Sequence, residues 1–362
     1  MKRQIVLVGG GHTHLQIVEA FGRRPLDGWH VLLVSSERTT AYSGMAPGVI
    51  AGHYHPDELE IDLEKLCAVH AIPFRRGRAI GIDRRARRVE LEDGSVVPYD
   101  LLSLDVGSVP ATARIRRACE HALPVKPIGT FLGRLEPALQ ARADHARVTI
   151  VGGGPAGVEI ALALHHRLGA RAALSLVAAG AILENHPPRL GNHFRELLER
   201  RRIALIENAA VDSVRSDAVC LTDGRSLASD LTLLATGAAP PAWLARTGLQ
   251  LANGFLAVRP TLQSLSDPDI FAAGDCAEIA GYPRPKAGVF AVHAGRPLAR
   301  NLRARAEGRP LLAWSPQKNY LALLATGAKH AVAVRGRFFV AGRWVWFLKN
   351  WIDRSWVRRF TP

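Results

Sequence analysis

Short apolar runs that end in glycine, each followed by a helical pattern, set the rhythm of this chain. The first, QIVLV, ends in Gly9-Gly10-Gly11 and passes into a helix reaching about Phe21; a second run, WHVLLVSS, follows. PFRRGRAIGID, RRVELEDGSVVPYD and LLSLDVGS then read as a β-meander, with Asp93-Gly94 as a hairpin turn. The pattern restarts at ARVTIVGGGPAGVEIALALHHRL, again strand, glycine turn and helix. LSLVAAG is a strand, VDSVRSDAVCLTDGRSLASD a hairpin about Asp223-Gly224, and LTLLATGA a strand. Alternating strands and helices predict an α/β fold with parallel sheets. The order occurs twice, with first glycines at Gly9 and Gly152, which predicts an internal duplication. Beyond it, DPDIFAAGDCAEI reads as a strand ending at Gly274-Asp275, and KAGVFAVHAGRPLARNLRA as a helix.

A glycine turn between a buried strand and a helix suits a dinucleotide. The first glycine permits the bend and the second lets backbone approach a pyrophosphate on the helix N-terminus. The third allows close helix–strand packing. Gly152, Gly154 and Gly157 form a complete set. The first copy keeps Gly9 and Gly11 but has His14 in third place, a change to packing more than to phosphate binding. His12 and Thr13, at the helix start, are candidate cofactor contacts; ordinary polar residues at a helix start is the plainer account of the two histidines. A ribose-binding acid is expected about 20 residues further on. In the first copy Glu37 lies 23 positions after His14, just past a strand. In the second copy that region is Val177-Ala178-Ala179, with no acid and no arginine for a 2′-phosphate. The second site then binds a nicotinamide nucleotide weakly, with little preference, or has lost it. One such turn is a weak signal; two in the same context are a strong one.

Composition bears on partners more than on fold. The chain has 362 residues, enough for two domains, and 48% of them are apolar. A net charge of +15 favours anionic partners: phosphate-bearing cofactors, anionic lipid or nucleic acid. The clusters Arg84-Arg85-Ala86-Arg87-Arg88, in a hairpin, and Arg200-Arg201-Arg202, at a helix end, read as solvated surface. No nucleic-acid signature accompanies them, so no nucleic acid is expected. Cys67, Cys119, Cys220 and Cys276 form no C-x-x-C; they read as free thiols in a reducing compartment, and no metal is expected. No signal-type segment follows Met1-Lys2-Arg3, and no run of about 18 apolar residues occurs. The expected location is cytoplasmic, peripheral on the inner face of the membrane.

Four features together carry a family resemblance: Gly9-Gly10-Gly11; LDVGS; VGGGPAGVE with LATGA; and IFAAGDCA. With them the sequence resembles the flavoproteins of the pyridine nucleotide-disulfide oxidoreductase superfamily. The resemblance implies two Rossmann-like dinucleotide-binding domains, each three-layered, plus a C-terminal amphipathic segment. It implies FAD on the first turn, with Gly9, Gly11, His12, Thr13, Glu37 and Gly107, and the ribityl chain on Asp275 of Gly274-Asp275. NAD(P)H, the co-substrate, would lie on the second turn with Gly152, Gly154, Gly157 and Gly237. The implied domains are a discontinuous FAD domain (1–115 and 250–305), an NAD(P)H domain (140–249) and a C-terminal membrane or dimer segment (306–362). By the same analogy the helix beginning near Lys286-Ala287-Gly288 points its N-terminus at the flavin, with Ala287 beside it and Lys286 stabilising the anionic reduced ring; a solvated surface lysine is the alternative. Glu159 would touch the nicotinamide ribose or the flavin edge, or else serve the first turn of its helix. The disulfide reductases carry C-x4-C after the first strand–turn region, and TAYSGMAPGVIAGHY has no cysteine, so disulfide reduction is not expected. AYSGMAPGVIAG is similar instead to a segment of type II NADH dehydrogenases and sulfide:quinone reductases. GHTH with YSGMAPGVIAGHY looks closer still to a branch fused in some proteins to selenide, water dikinase.

Trp344, Phe347, Leu348, Trp351, Ile352, Trp356 and Phe360 recur at three- and four-residue steps, an amphipathic helix. From Arg335 onward seven basic residues stand against one acid, Asp353. Tryptophan with Arg/Lys is the composition of a helix in a membrane interface, here an anionic one. The alternatives are docking on the chain's own core and a homodimer contact. The resulting expectation is an FAD-dependent NAD(P)H:quinone reductase passing hydride to flavin and electrons to a quinone or other small acceptor. Two readings compete with it. One is a sulfide:quinone-type or other nicotinamide-independent reductase, for which Cys276 is the one cysteine near the flavin and has no partner. The other is a flavin-bound redox sensor that docks a partner.

Overall fold

The computed structural model describes residues 3–142 and 145–361. Met1, Lys2, Ala143, Asp144 and Pro362, which fall inside the segments delimited above, lie outside the described residues.

The two glycine turns sit in two five-stranded parallel sheets of the same layout. The first runs Ile270–Ala272, Leu101–Leu104, Arg3–Val8, Trp29–Ser35, Phe74–Arg76. Its central run Ile5 to Val8 is at most 2% exposed, which is why the sequence there is unbroken apolar rather than alternating. Helix α1 (His12–Arg23) follows the first turn. The second sheet runs Ala122–Pro124, Leu231–Leu234, Ala146–Val151, Ala172–Val177, Ala204–Ile206, with helix α2 (Pro155–Leu168) after its turn. Each sheet is accompanied by an antiparallel three-stranded meander, turned at Gly94 in one case and Gly224 in the other. The α/β class with two Rossmann-like units is therefore what the chain adopts. The first sheet takes its outer strand from beyond the second unit, so the chain crosses out and back. Helix α3 (Gly288–Ala306) then packs along α1: Ala294 and Leu298 are buried, Thr13 Oγ1 donates to the Ala291 carbonyl and Gln16 Nε2 to the Val292 carbonyl.

Two expectations needed correction. PFRRGRAIGID is not one meander strand: Phe74–Arg76 joins the parallel sheet and Ala79–Asp83 the meander, because the Gly77 amide bonds to the Ser35 carbonyl and turns the chain between them. The C-terminal segment is more than a helix. A three-stranded antiparallel sheet, Ala322–Ala325, Ala331–Arg335 and Phe338–Gly342, precedes helix α4 (Arg343–Phe360). Helix α4 does not sort its aromatic residues onto one face. Val345, Trp346, Val357 and Phe360 are buried against the body of the protein, while Trp344, Phe347 and Trp351 are 58%, 54% and 67% exposed. Arg359 pairs with Glu19 and Arg354 with Glu58, fixing the helix to the first unit. Among the described residues no helix is long and apolar enough to cross a membrane.

Part of the basic surface is internally compensated. Arg84 reaches Asp267 and the Gly248 and Ser266 carbonyls, and Arg87 reaches Asp269, so these arginines tie the meander to the segment before Ile270–Ala272.

Candidate active site

In both turns the first glycine adopts positive φ, +99° at Gly9 and +130° at Gly152, where a side chain would meet the next strand's backbone. The third position differs. A Cβ on Gly157 would overlap the Gly152 carbonyl oxygen. In the first copy the His14 ring is turned to the equivalent oxygen, with Nδ1 at 2.7 Å from the Gly9 carbonyl and Nε2 at 2.8 Å from Ser103 Oγ. A hydrogen bond thus stands where the second copy has bare contact. Burial lowers the His14 pKa to about 4, so the ring is neutral. Glu37 is exposed just past the strand Trp29–Ser35.

The other end of the first turn is an aromatic and charged enclosure. His12, the first residue of α1, lies 5.3 Å from the Tyr42 ring and 6.2 Å from Trp356 of α4, centroid to centroid. Its Nδ1 is buried without a protein partner, as is Trp356 Nε1. Burial lowers the His12 pKa to about 4, against the opposing pull of Asp275. The start of α3 arrives at the same place: a Cβ on Gly288 would stand 3.8 Å from His12 and 3.5 Å from Ser43 Oγ. Ala287 is the N-cap of α3, and no side chain bonds its first turn. Asp275 Oδ2 accepts from Lys126 Nζ at 2.8 Å and Ser108 Oγ at 3.1 Å. Lys126 went unread in the sequence; it follows the edge strand Ala122–Pro124 of the second sheet, outside any motif, and only the fold carries it to Asp275. Lys286 is placed differently from the expectation. Its Nζ bonds the Ala277 carbonyl and Glu278 Oε2, both at 2.6 Å, and rests on the Phe255 ring. A nearby carboxylate compensates its charge, so the geometry gives it an anchoring role in the segment before α3 rather than a free ammonium.

At the second turn, a Cβ on Gly154 or on Gly237 would meet nothing within 4 Å, leaving backbone open to a ligand. Thr236 Oγ1 is buried there without a partner. Ala178 is buried against Gly153, so the position of the missing ribose acid is closed by apolar packing. Glu159, one turn into α2, accepts from the Ala325 amide at 2.7 Å. Burial pushes its carboxyl up to about 7, partly offset by Lys349. Lys349 and Asp353 of α4 form a buried pair at 2.6 Å, and Lys349 Nζ also donates to the Gly44 carbonyl at 2.6 Å. Tyr42 faces Asp353, and burial raises its hydroxyl well above the usual range. Helices α2 and α4 and the Tyr42–Met45 segment therefore bring a carboxyl, an ion pair and a phenol to the end of the first turn where His12 and Trp356 lie. Lys349 and Asp353 were read in the sequence only as part of a charge count, since an i,i+4 pair on a helix is ordinarily solvated and what buries this one, around Gly44 and Tyr42, is distant in the chain.

Two glycine turns of opposite units, an exposed acid at Glu37, open backbone at Gly154 and orphaned donors at His12 and Trp356 fit FAD on one turn and a nicotinamide nucleotide on the other. This arrangement defines the class of two-dinucleotide flavoproteins. The family model described as pyridine nucleotide-disulphide oxidoreductase matches residues 3–295, and the chain belongs to that family. It is similar to human ferroptosis suppressor protein 1, 26% identical over 313 residues, with 78% of each chain covered. It is also 26% identical, over 294 residues, to the ferredoxin–NAD(+) reductase component of the biphenyl dioxygenase system of Paraburkholderia xenovorans, covering 78% of this chain and 69% of the relative. The assimilatory nitrate reductase electron transfer subunit of Bacillus subtilis is 25% identical over 291 residues, and the match spans only 36% of that protein. The sulfide:quinone oxidoreductase of Aquifex aeolicus has the same fold, with a TM-score of 0.82 at 19% identity over 99% of this chain and 92% of the other. The chain is an FAD-dependent oxidoreductase with NAD(P)H as co-substrate.

Proposed function

We propose that the protein is an NAD(P)H:quinone reductase of the type II NADH dehydrogenase kind, working at an anionic membrane face. The observation that carries this reading is the two-sidedness of α4. One face delivers Trp356, Lys349 and Asp353 to the flavin end; the other presents Trp344, Phe347 and Trp351 to solvent. Phe338 and Val340 of the neighbouring strand extend the exposed apolar surface, and Arg335, Arg337 and Arg343 rim it. An apolar acceptor dissolved in lipid would thus approach the flavin end along one helix.

FAD, when bound, supplies the two-electron chemistry that links NAD(P)H to the acceptor. The protein's part is to hold and protonate. Gly154 leaves backbone open to seat the nicotinamide nucleotide at the start of α2, and Gly157 lets that helix pack against the turn. Glu159, a carboxyl at about 7, gives and takes a proton at its Oε atoms near working pH. Lys349 bonds Asp353 and the Gly44 carbonyl, holding α4 against the Tyr42–Met45 segment. The cysteines speak against sulfide as donor. Cys276 is buried, donates to the Leu104 and Ala273 carbonyls, and has its thiol pushed up to about 12. A nucleophilic sulfur needs the opposite environment.

The test is an anaerobic rapid-mixing experiment on the yellow protein with NADH, NADPH and sulfide in turn, followed by a soluble quinone. Bleaching by a nicotinamide and fast reoxidation by quinone are expected. Bleaching by sulfide alone, or reoxidation only by a ferredoxin-type protein, would sink the proposal.

A further inference from the structure

The two turns are copies of one another, yet they differ at three buried positions that touch. Where the second copy has Gly157, Leu233 and Ala235, the first has His14, Ser103 and Asp105. Asp105 is only 3% exposed. Its Oδ2 accepts from the Thr13 amide at 2.9 Å and faces the His14 amide at 3.4 Å. Its carboxyl fills the space that Cβ atoms on Gly11 and on Gly274 would need. The group therefore stands behind the phosphate turn, on its protein side, bonded to the same helix end that a pyrophosphate would face from outside. In the second copy Ala235 offers no such group, and no side chain caps α2.

One helix N-terminus favours one anion. A carboxylate behind it and a pyrophosphate in front, both shielded from water, repel. We propose that Asp105 is a positioning residue for FAD that must carry a proton while the cofactor is bound, so that FAD release is coupled to loss of that proton. Among the described residues no cation acts on Asp105 to lift this requirement. His14, on α1, is neutral, and Cys276, on the segment after Ile270–Ala272, is a thiol held up at about 12 by burial. Asp275, on that same segment, is a further carboxylate, shared with Lys126. Burial pushes Asp105 itself up to about 7, with the Thr13 and His14 amides opposing. The sign follows. Below about 7 the carboxyl already holds its proton and FAD binding is tightest. Above it each pH unit weakens binding by about tenfold, until the carboxyl of the FAD-bound form ionises as well.

The inference rests on FAD occupying the first turn and is independent of the electron acceptor. Holoprotein is diluted across a pH series from about 6 to about 9, and freed FAD is read by its fluorescence, for wild type, Asp105→Asn and Asp105→Ala. The expected result is release that rises with pH in wild type and is flat in whichever variant folds. The Ala variant copies the residue of the second turn. In unaltered holoprotein at about pH 8, displacement of FAD should also liberate close to one proton, read by an indicator dye in weak buffer. A flat wild-type profile, an unchanged slope in either variant, or no proton on displacement overturns the proposal. A chain that takes up no FAD at any pH strikes the cofactor reading itself.

Discussion

At Gly157 a single methyl group would overlap the Gly152 carbonyl, whereas at Gly154 it would meet nothing. The two glycines therefore separate packing from binding. Gly157→Ala should cost about 2 kcal/mol of stability, as overpacking does. Gly154→Ala should unfold like wild type, since its backbone is extended at φ −75°, but raise the KM for nicotinamide nucleotide at least tenfold by crowding the phosphate. Thermal unfolding and steady-state kinetics on both variants check this, and equal KM values would refute a nucleotide at the second turn. Glu159 offers a pH test. Its carboxyl holds a proton up to about 7 in the folded chain, against about 4.5 in the unfolded one. The folded state thus binds more protons between these values, and wild-type stability falls as pH rises from about 4.5 to about 7, then levels. Glu159→Gln should lack that slope, and its turnover should lose the step near pH 7 and drop by about 10²-fold. His14 shows how legible a residue can be. Its displacement of the packing glycine could be read in the motif, but its hydrogen bonds to Gly9 and Ser103 could not, because Ser103 belongs to a strand 89 positions away.

Among the elements, α4 separates pattern from placement most clearly. Its apolar residues predicted an amphipathic helix, and Arg343–Phe360 is one helix. The stripe itself was misassigned. Apolar and aromatic side chains lie on both faces, and the inward face also carries Lys349 and Asp353. Periodicity identifies an inward face only when the other face is polar. The buried pair makes a sharp prediction. Lys349→Met alone should cost about 3 kcal/mol, because it leaves Asp353 buried without its partner. Lys349→Met with Asp353→Leu should recover most of that loss in urea unfolding. A double variant no better than the single would mean that the pair contributes more than charge balance.

For the whole molecule, the surface that α4 and the adjoining strand present is the feature with a consequence for location. Trp344→Ser, Phe347→Ser and Trp351→Ser combined should leave unfolding unchanged, since all three side chains are exposed. The same variant should lose at least tenfold in co-sedimentation with anionic lipid vesicles, and wild-type binding should weaken with added salt. Wild type that ignores such vesicles would remove the membrane from the proposal and leave the reductase chemistry untouched.

Sequence by itself determined the α/β class, the duplication and both glycine turns. These are local signals, carried by strand, turn and helix in unbroken succession, and backbone sterics read them the same way wherever the segment lies. Tertiary structure alone decided that the outer strand of the first sheet comes from Ile270–Ala272, that Lys126 meets Asp275, and that Lys286 is held by Glu278. It also decided that Asp105 stands behind the first glycine turn and that α4 carries Lys349, Asp353 and Trp346 inward while Trp344, Phe347 and Trp351 face outward. Each of these joins residues from different strands or helices, and which side chains share a low-dielectric interior depends on how the sheets and helices pack, a contact that no run of neighbouring residues encodes.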